Sequence, residues 1–322
     1  MKKIKLIVVF LVAAFTLMAV IPKKKTKAES TASTITLKKY KRALNFFVIS
    51  DWGWNGFKDQ QIVANQMGLQ AEKIHPQFIV SCGDNFQVAG VASTQDPLWT
   101  NSFENVYKNL ALMVDWYPVL GNHDYKGNTQ AEIDYSNVSR RWRMEAHYYT
   151  KVTKVNDSIS ALLIFLDTPP LIKEYHVKGG YPDVARQDSA LQIKWLNDVL
   201  ANSKEQWKIV FGHHPVYSAS KTHGNTPDMI RKVKPLLEKY NAQFYFCGHD
   251  HDFQHLREKG KNVDYVVTGT GGEPRPSSMD AHSIYSHTAP GFSEVTFHGD
   301  SIRVVFMDAN GEALYKIERS YR

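Results

Sequence analysis

Residues 77–87 read QFIVSCGDNFQ: a largely apolar run, Gln77–Cys82, that stops on Gly83-Asp84-Asn85. A short apolar run closed by a turn signal is the pattern of a buried strand, and a glycine lets the backbone turn sharply where the strand ends. The same arrangement recurs four times. Asn45–Ser50 runs into Asp51-Trp52-Gly53, Tyr117–Leu120 into Gly121-Asn122-His123-Asp124, Lys208–Phe211 into Gly212-His213, and Phe244–Cys247 into Gly248-His249-Asp250-His251. Ser160–Leu166 is a further strand of this kind. Between these runs the apolar spacing changes to that of helices. Gln60–Ile74 carries Val63, Met67, Ala71 and Ile74, and Pro97–Leu110 puts Phe103, Val106, Tyr107 and Leu110 on one face. Asp188–Leu200 and Pro227–Tyr240 also read as helices. The tail alternates instead: Tyr265–Thr268, Gly291–Phe297 and Ile302–Met307, then a turn at Asn310-Gly311 before Leu314–Ile317, which predicts antiparallel β-structure. Strand–helix repeats followed by a β-rich tail predict an α/β (α+β) fold of two packed sheets with helices outside.

In an open α/β sheet the carboxyl ends of the strands share one edge, where ligand sites form. Five strand-end motifs therefore converge in space. Their carboxylates, amide oxygen and imidazoles are the ligand set of a divalent ion such as Zn, Mn or Fe. One histidine after one strand is more often structural; five motifs in this order argue for a metal site. Gly269-Thr270-Gly271-Gly272 lacks the Lys-Ser/Thr of a phosphate-binding loop and reads as backbone passing close to the metals.

The chain has 322 residues, 43% of them hydrophobic, enough for a sizeable core, and a formal charge of +7. Eleven Lys and Arg in the first 42 residues face only Glu29, so the rest is near neutral and no nucleic-acid partner is expected. Lysines precede the apolar stretch Leu6–Ile21, with Pro22 and more lysines after it, the pattern of an export signal. The expected organisation is a signal peptide over 1–28, a linker over 29–43 and a catalytic domain over 44–322. Retention of the signal as a membrane anchor is the alternative. The two cysteines, Cys82 and Cys247, end apolar runs and read as buried thiols.

These motifs resemble the calcineurin-like metallophosphoesterases, and within them the small tartrate-resistant type of purple acid phosphatase. The resemblance extends beyond single residues to SCGDNFQVAGV (81–91), PVLGNHDYKG (118–127), FGHHPVYS (211–218) and CGHDHDFQHL (247–256). It implies a β-sandwich flanked by helices and a centre of two metal ions. Asp84 would bridge them, Asp51 and His251 would hold the first, and Asn122, His213 and His249 the second. The subgroup's motif has a ligand tyrosine where this chain has Gln87, and the wider superfamily's histidine position is Gly53. Gln87 offers only a neutral amide oxygen, so the expected ions are divalent (Fe, Zn or Mn) rather than ferric.

The implied reaction is hydrolysis of phosphate monoesters by a metal-activated water. His123 would contact the phosphate, Asp124 would orient His123, and His223 would protonate the leaving group, or the two histidines would exchange roles. His214 reads as a pocket wall, Asp250 as facing away, and Asp252 as outside the ligand set. The resemblance also implies a lid over the centre from Pro169–Arg186. A phosphodiesterase or a nucleotide or pyrophosphate hydrolase is the alternative on the same cluster. A non-catalytic binding protein with a degraded site is a third reading, disfavoured because the remaining ligands are all present. The expected partners are small phosphorylated substrates, and the expected state is a monomer.

Overall fold

The computed structural model describes residues 44–321; the expected signal peptide and linker lie outside them. Strands β1 (Leu44–Ile49), β2 (Phe78–Ser81) and β3 (Asp115–Pro118) come first. Strands β4 (Tyr149–Lys154), β5 (Ser160–Phe165), β6 (Trp207–Phe211), β7 (Phe244–Cys247), β8 (Phe253–Leu256), β9 (Asp264–Thr268) and β10 (Ser283–His287) follow. Strands β11 (Gly291–His298), β12 (Ser301–Asp308) and β13 (Ala313–Ser320) close the chain. Helices α1 (Gln60–Ile74), α2 (Thr129–Asp134), α3 (Lys173–Val177), α4 (Ser189–Asn202), α5 (Pro227–Lys232) and α6 (Lys234–Lys239) lie between them.

The strands form two sheets, in the orders β13-β12-β11-β1-β2-β3 and β10-β8-β9-β7-β6-β5-β4. β1, β2 and β3 run parallel, as do β5, β6, β7 and β9. Their continuous apolar runs are what strands buried on both faces require. Rings of one sheet meet rings of the other: Phe46 and Phe211 at 6.4 Å, Tyr117 and Phe165 at 5.9 Å. Helices α4, α5 and α6 cover the outside of the second sheet through Leu196, Leu200, Met229 and Leu237. α1 is tied to β11 by the Gln70–Glu294 hydrogen bond (2.7 Å). This is the four-layer arrangement of two mixed sheets between helices. No helix among the described residues is long and apolar enough to cross a membrane. Cys82 and Cys247 are free and buried.

Three expectations need correction. Pro97–Leu110 is not one helix but a short π-helical turn, Trp99–Glu104, and a separate 3-10 turn, Leu110–Leu112. Asn109 caps the second turn by accepting from the Ala111 N–H (2.8 Å), and Leu110 is left 86% exposed. Packing outweighs helical period here: Trp52, Trp99, Phe103, Tyr107, Trp116 and Trp142 form one aromatic cluster. Pro227–Tyr240 breaks at Val233, because Pro235 has no N–H to continue the α5 ladder and starts α6. The strand at Tyr265–Thr268 belongs to no antiparallel tail; β9 pairs parallel with β7 and antiparallel only with β8. Strands β4, β8 and β10 were not legible in the sequence.

At the start of β9, Asp264 joins the two sheets. It accepts from His255 Nε2 of β8 (2.8 Å), from Arg257 Nε (2.7 Å) and from Arg319 of β13 (3.0 Å). Burial alone would raise its carboxyl. The hydrogen bond and charge of His255, then Arg257, outweigh burial and hold it below the usual range. Replacing Asp264 by Asn should therefore destabilise the protein by about 3 kcal/mol. That is the lower end for breaking a buried pair, since both arginine heads are partly solvated. A depressed folded pKa contributes stability above the unfolded value and loses it as pH falls through the folded one. Urea unfolding of wild type and D264N should thus differ most near neutral pH and converge on acidification.

Candidate metal centre

The carboxyl ends of both sets of parallel strands face one another. From the first sheet come Asp51 after β1, Asp84 after β2 and Asn122 after β3. From the second come His213 after β6, then His249 and His251 after β7. Three of these are non-glycine residues in the left-handed region: Asp51 (φ 58°), Asp84 (φ 49°) and His249 (φ 68°). Each costs on the order of 1 kcal/mol and persists where surrounding contacts fix it. Those contacts run from strand end to strand end: Asp51 N–H to the Gly83 carbonyl (3.1 Å), Gly248 N–H to the His213 carbonyl (3.0 Å), and His249 N–H to Asp51 Oδ2 (3.0 Å).

The polar atoms inside this ring are arranged for a cation. Asp51, Asp84 and His213 offer ligand atoms within 4.8 Å of one another. His213 Nδ1 faces the Cys82 carbonyl (2.9 Å) and His251 Nδ1 the Glu273 carbonyl (2.7 Å). A carbonyl only accepts, so a ring proton sits on Nδ1, and in the neutral ring each Nε2 turns a lone pair inward; burial opposes, and the Asp51 carboxylate favours, a second proton on His251. His213 Nε2 then faces Asn122 Oδ1 (3.1 Å) and Asp84 Oδ1 (3.4 Å), while His251 Nε2 faces Asp51 Oδ1 (3.4 Å). Asp51 Oδ1 is buried with no hydrogen-bond partner. Acceptors opposed across such distances, with one orphaned carboxylate oxygen, fit a metal. Burial and neighbouring imidazoles hold His249 and His214 well below the usual histidine range, so both are neutral, as a metal ligand must be. His213, His214 and His249 also lie close enough to share an ion. But His214 Nδ1 is taken by Thr168 Oγ1 (2.8 Å) and Nε2 by the Tyr175 hydroxyl (2.7 Å). His214 is a wall behind His249.

Gln87 is buried at the cluster, its Nε2 3.3 Å from Asp84 Oδ2. Gly53 is closed to any side chain: a Cβ there would stand 2.0 Å from the Asn85 carbonyl oxygen. At Gly248 a Cβ would stand 2.0 Å from Ser50 Oγ and 2.2 Å from Asp51 Oδ2. Gly248→Ala must push Asp51 aside. Since a 1 Å misplacement can cost ~10²-fold, G248A is expected to lose about that much kcat/KM together with bound metal, while far-UV circular dichroism stays native.

Asp124 does not orient His123. The turn after Asn122 directs its carboxylate inward, where Oδ2 accepts from Gly121 N (2.8 Å) and Asn85 N (3.1 Å), and Oδ1 from Phe86 N (3.0 Å). It binds the Asp84 loop to the Asn122 loop. Burial, then the Asp84 carboxylate, push its pKa up to about 7 against those N–H groups. His123 is held instead by its Nδ1 on the Val88 carbonyl (2.6 Å), with Nε2 3.9 Å from Asp84 Oδ2. His223 lies on the exposed rim with its ring 4.0 Å from that of His249. Its pKa is lowered by the protein packed behind it, with Asp250 opposing. Asp250 points away from the cluster, to the Ser218 hydroxyl (2.5 Å), and Asp252 to Gln254 and Ser277. Pro169–Arg186 forms short turns around α3, pinned by Tyr175 to His214.

Sequence reasoning missed a second buried group beside this ring. After β5, Asp167 Oδ2 accepts from the Tyr125 hydroxyl (2.5 Å) and lies 3.0 Å from His147 Nδ1. Leu166-Asp167-Thr168 ends its strand as the five motifs do, but without a glycine.

A family model described as calcineurin-like phosphoesterase matches residues 44–253. The chain belongs to the calcineurin-like phosphoesterase family. It is 33% identical over 287 residues to purple acid phosphatase 17 of Arabidopsis thaliana, covering 85% of this chain and 83% of that one. Tartrate-resistant acid phosphatase type 5 of Oryctolagus cuniculus is also 33% identical, over 293 residues, covering 85% and 90%. Among solved structures, GAP50, the anchor in the inner membrane complex of Plasmodium, superposes with a TM-score of 0.76 at 24% identity, covering 88% of this chain and 90% of that one. The purple acid phosphatase PPD1 of yellow lupin (Lupinus luteus) gives 0.64 at 14% identity, covering 88% and 54%. Both structural likenesses speak for the fold alone. Within the calcineurin-like family, this chain is a purple-acid-phosphatase-like metallophosphoesterase, a metal-dependent phosphoester hydrolase. The matched span of the calcineurin-like phosphoesterase model contains all five motifs.

Proposed function

We propose that this protein is an exported phosphatase that holds two divalent metal ions and removes phosphate from small monoesters. The observation that carries this reading is the set of opposed acceptors around Asp84. Its Oδ1 faces His213 Nε2, which also faces Asn122 Oδ1; its Oδ2 accepts from Gln87 Nε2; and Asp51 Oδ1 waits orphaned opposite His251. Asp84 would bridge, Asp51 and His251 would complete the first set, and Asn122, His213 and His249 the second. Two divalent ions would supply an acidified water and, beyond what the two carboxylates neutralise, two positive charges to match a phosphate monoester dianion.

The chain's own groups do the rest. The Val88 carbonyl accepts from His123 Nδ1, turning Nε2 toward Asp84; as an imidazolium the ring would donate from Nε2–H to a phosphoryl oxygen. His223, on the rim beside His249, gives a proton to the leaving oxygen. Its lowered pKa makes the protonated ring a stronger acid while leaving less of it protonated near neutral pH. Tyr175 and Thr168 hold His214, and through its ring the position of His249. The basic apolar leader supports export, with the mature protein a monomer acting on small phosphorylated substrates.

The test is elemental analysis of protein purified without added metal, alongside turnover of nitrophenyl phosphate and bis-nitrophenyl phosphate. Two metals per chain, activity lost to chelation and preference for the monoester are expected. Fewer than one metal, with no turnover after supplying Zn, Mn and Fe, would leave a binding protein. N-terminal sequencing of secreted material tests export. Replacing His123 and His223 together by Ala should cost ~10²–10⁴-fold in kcat, the usual contribution of proton transfer; an unaltered kcat would dismiss both roles.

A further inference from the structure

At the end of the sandwich remote from the metal centre lies an open cavity of about 890 Å³. Lys208 near the start of β6, Arg257 just after β8 and Arg319 near the end of β13 line it. β6, β7 and β9 run parallel and begin at this end, whereas His213 and His249 follow the far ends of β6 and β7. Lys208 precedes His213 by five residues, roughly 16 Å at the rise of an extended strand. A molecule bound here is clear of the candidate ligands.

The cavity holds more positive charge than its carboxylates offset. Lys208 is half-buried, and no hydrogen bond or ion pair among the described residues engages its ammonium. The carboxylate that feels its charge, Glu205, accepts instead from the Ser203 hydroxyl (2.8 Å) and the Lys204 N–H (3.1 Å). Arg257 and Arg319 share one buried carboxylate, Asp264, which also accepts from His255. The one acid in the lining, Glu318, is paired with Lys316 (3.1 Å) and faces Arg303 (3.8 Å). The lysine and one arginine are therefore left over. Donors are in surplus too. Arg319 makes its hydrogen bonds through Nη1, and Arg257 through Nε and Nη2, so Nη2 of the first and Nη1 of the second stay open among the described residues.

We propose that this cavity is a second ligand site, for a small molecule bearing two or more phosphate-, sulfate- or carboxylate-type oxyanions. Lys208 and the open edges of Arg257 and Arg319 hold it. A guanidinium edge matches the paired oxygens of such groups, and an ammonium adds a point charge. A concave site of several hundred Å³ takes a whole small molecule rather than a single ion. Arg319 belongs to the first sheet, Lys208 and Arg257 to the second, so the bound anion joins the two sheets and stabilises the folded state. The site is independent of the phosphatase reading: it shares no residue with the metal centre.

The probe is inositol hexasulfate, a polyanion with no phosphate ester for the metal centre to cleave. Melting of the full chain is followed with and without it at constant ionic strength, as wild type, Lys208→Ala, Lys208→Glu and Asp84→Ala, and titration calorimetry gives each Kd. The probe should raise the melting temperature of wild type by a few degrees, as a ligand of the folded state does. K208A should weaken binding by roughly tenfold, the size of one charge-assisted contact. K208E should abolish it, and D84A should bind as wild type does. Equal binding by wild type and K208E would mean diffuse attraction to a basic surface and would overturn the proposal. Loss of binding in D84A would place the probe at the metal centre and overturn it equally, as would a wild type that does not bind.

Discussion

Asp84→Ala is expected to lower phosphatase turnover by roughly a thousandfold or more, on the order of 4 kcal/mol of barrier, and to leave at most one tightly held metal per chain. Its carboxylate offers ligand atoms within 4.8 Å of those of Asp51, from one candidate set, and His213, from the other. Its Oδ1 lies 3.4 Å from His213 Nε2 and accepts from His123 N–H at 2.8 Å, while its Oδ2 lies 3.3 Å from Gln87 Nε2. Removing it takes away the proposed bridge, a negative charge, and the acceptor that fixes the His123 backbone. Loss of activity alone would not separate these effects from misfolding, but stability does. Asp84 presses on the buried Asp124, whose pKa burial and then Asp84 raise to about 7. Without Asp84 that repulsion is gone, so metal-free D84A should melt no lower than metal-free wild type. Zn or Mn should raise the melting temperature of wild type, by binding the folded state, and raise that of D84A far less. A D84A protein that melts well below wild type, or gains as much from metal, would refute the bridging role.

What was legible in the sequence was what depends on short local strings. Strand ends with glycine and a polar ligand are spelled out in a few residues, and six candidate ligands do meet across two sheets. The helix Gln60–Ile74 was legible because its buried face, Val63, Met67 and Ala71, keeps a regular period. The stretch Pro97–Leu110 had the same period, yet its aromatic side chains are placed by Trp52, Trp116 and Trp142, residues outside the stretch. Strand β8 was hidden because Phe253–Leu256 continues directly from the fifth motif. Asp124 was misread for a related reason: adjacency in sequence to His123 does not set where a side chain points, and the tight turn aims it at the Asn85 and Phe86 N–H groups instead. The Asp167–His147–Tyr125 group was invisible, since its members come from three segments with no shared spacing.

Gln87→Tyr should turn a colourless iron-loaded protein into a coloured one. In the subgroup this chain resembles, a tyrosinate at this place binds ferric ion and gives the purple band. Here the side chain is a neutral amide, buried at the cluster 3.3 Å from Asp84 Oδ2. The other route to a further ligand is shut, because the Asn85 carbonyl occupies the space a side chain at Gly53 would need. With two carboxylates as the only anionic candidates, a third positive charge on an ion is poorly offset, which favours divalent metals. A phenolate adds the missing charge and the chromophore together. Gln87→Glu separates the two, adding charge without a ring. The expected results are no visible band in iron-loaded wild type, tighter retention of ferric ion in both variants, and a visible charge-transfer band in Q87Y alone. A strong band in wild type would mean another ligand supplies the phenolate, and Gln87 would not be what sets the metal's charge. A colourless Q87Y that nonetheless retains ferric ion would mean that this position does not reach the metal, and that the gap left by the missing tyrosine is filled from elsewhere in the ring.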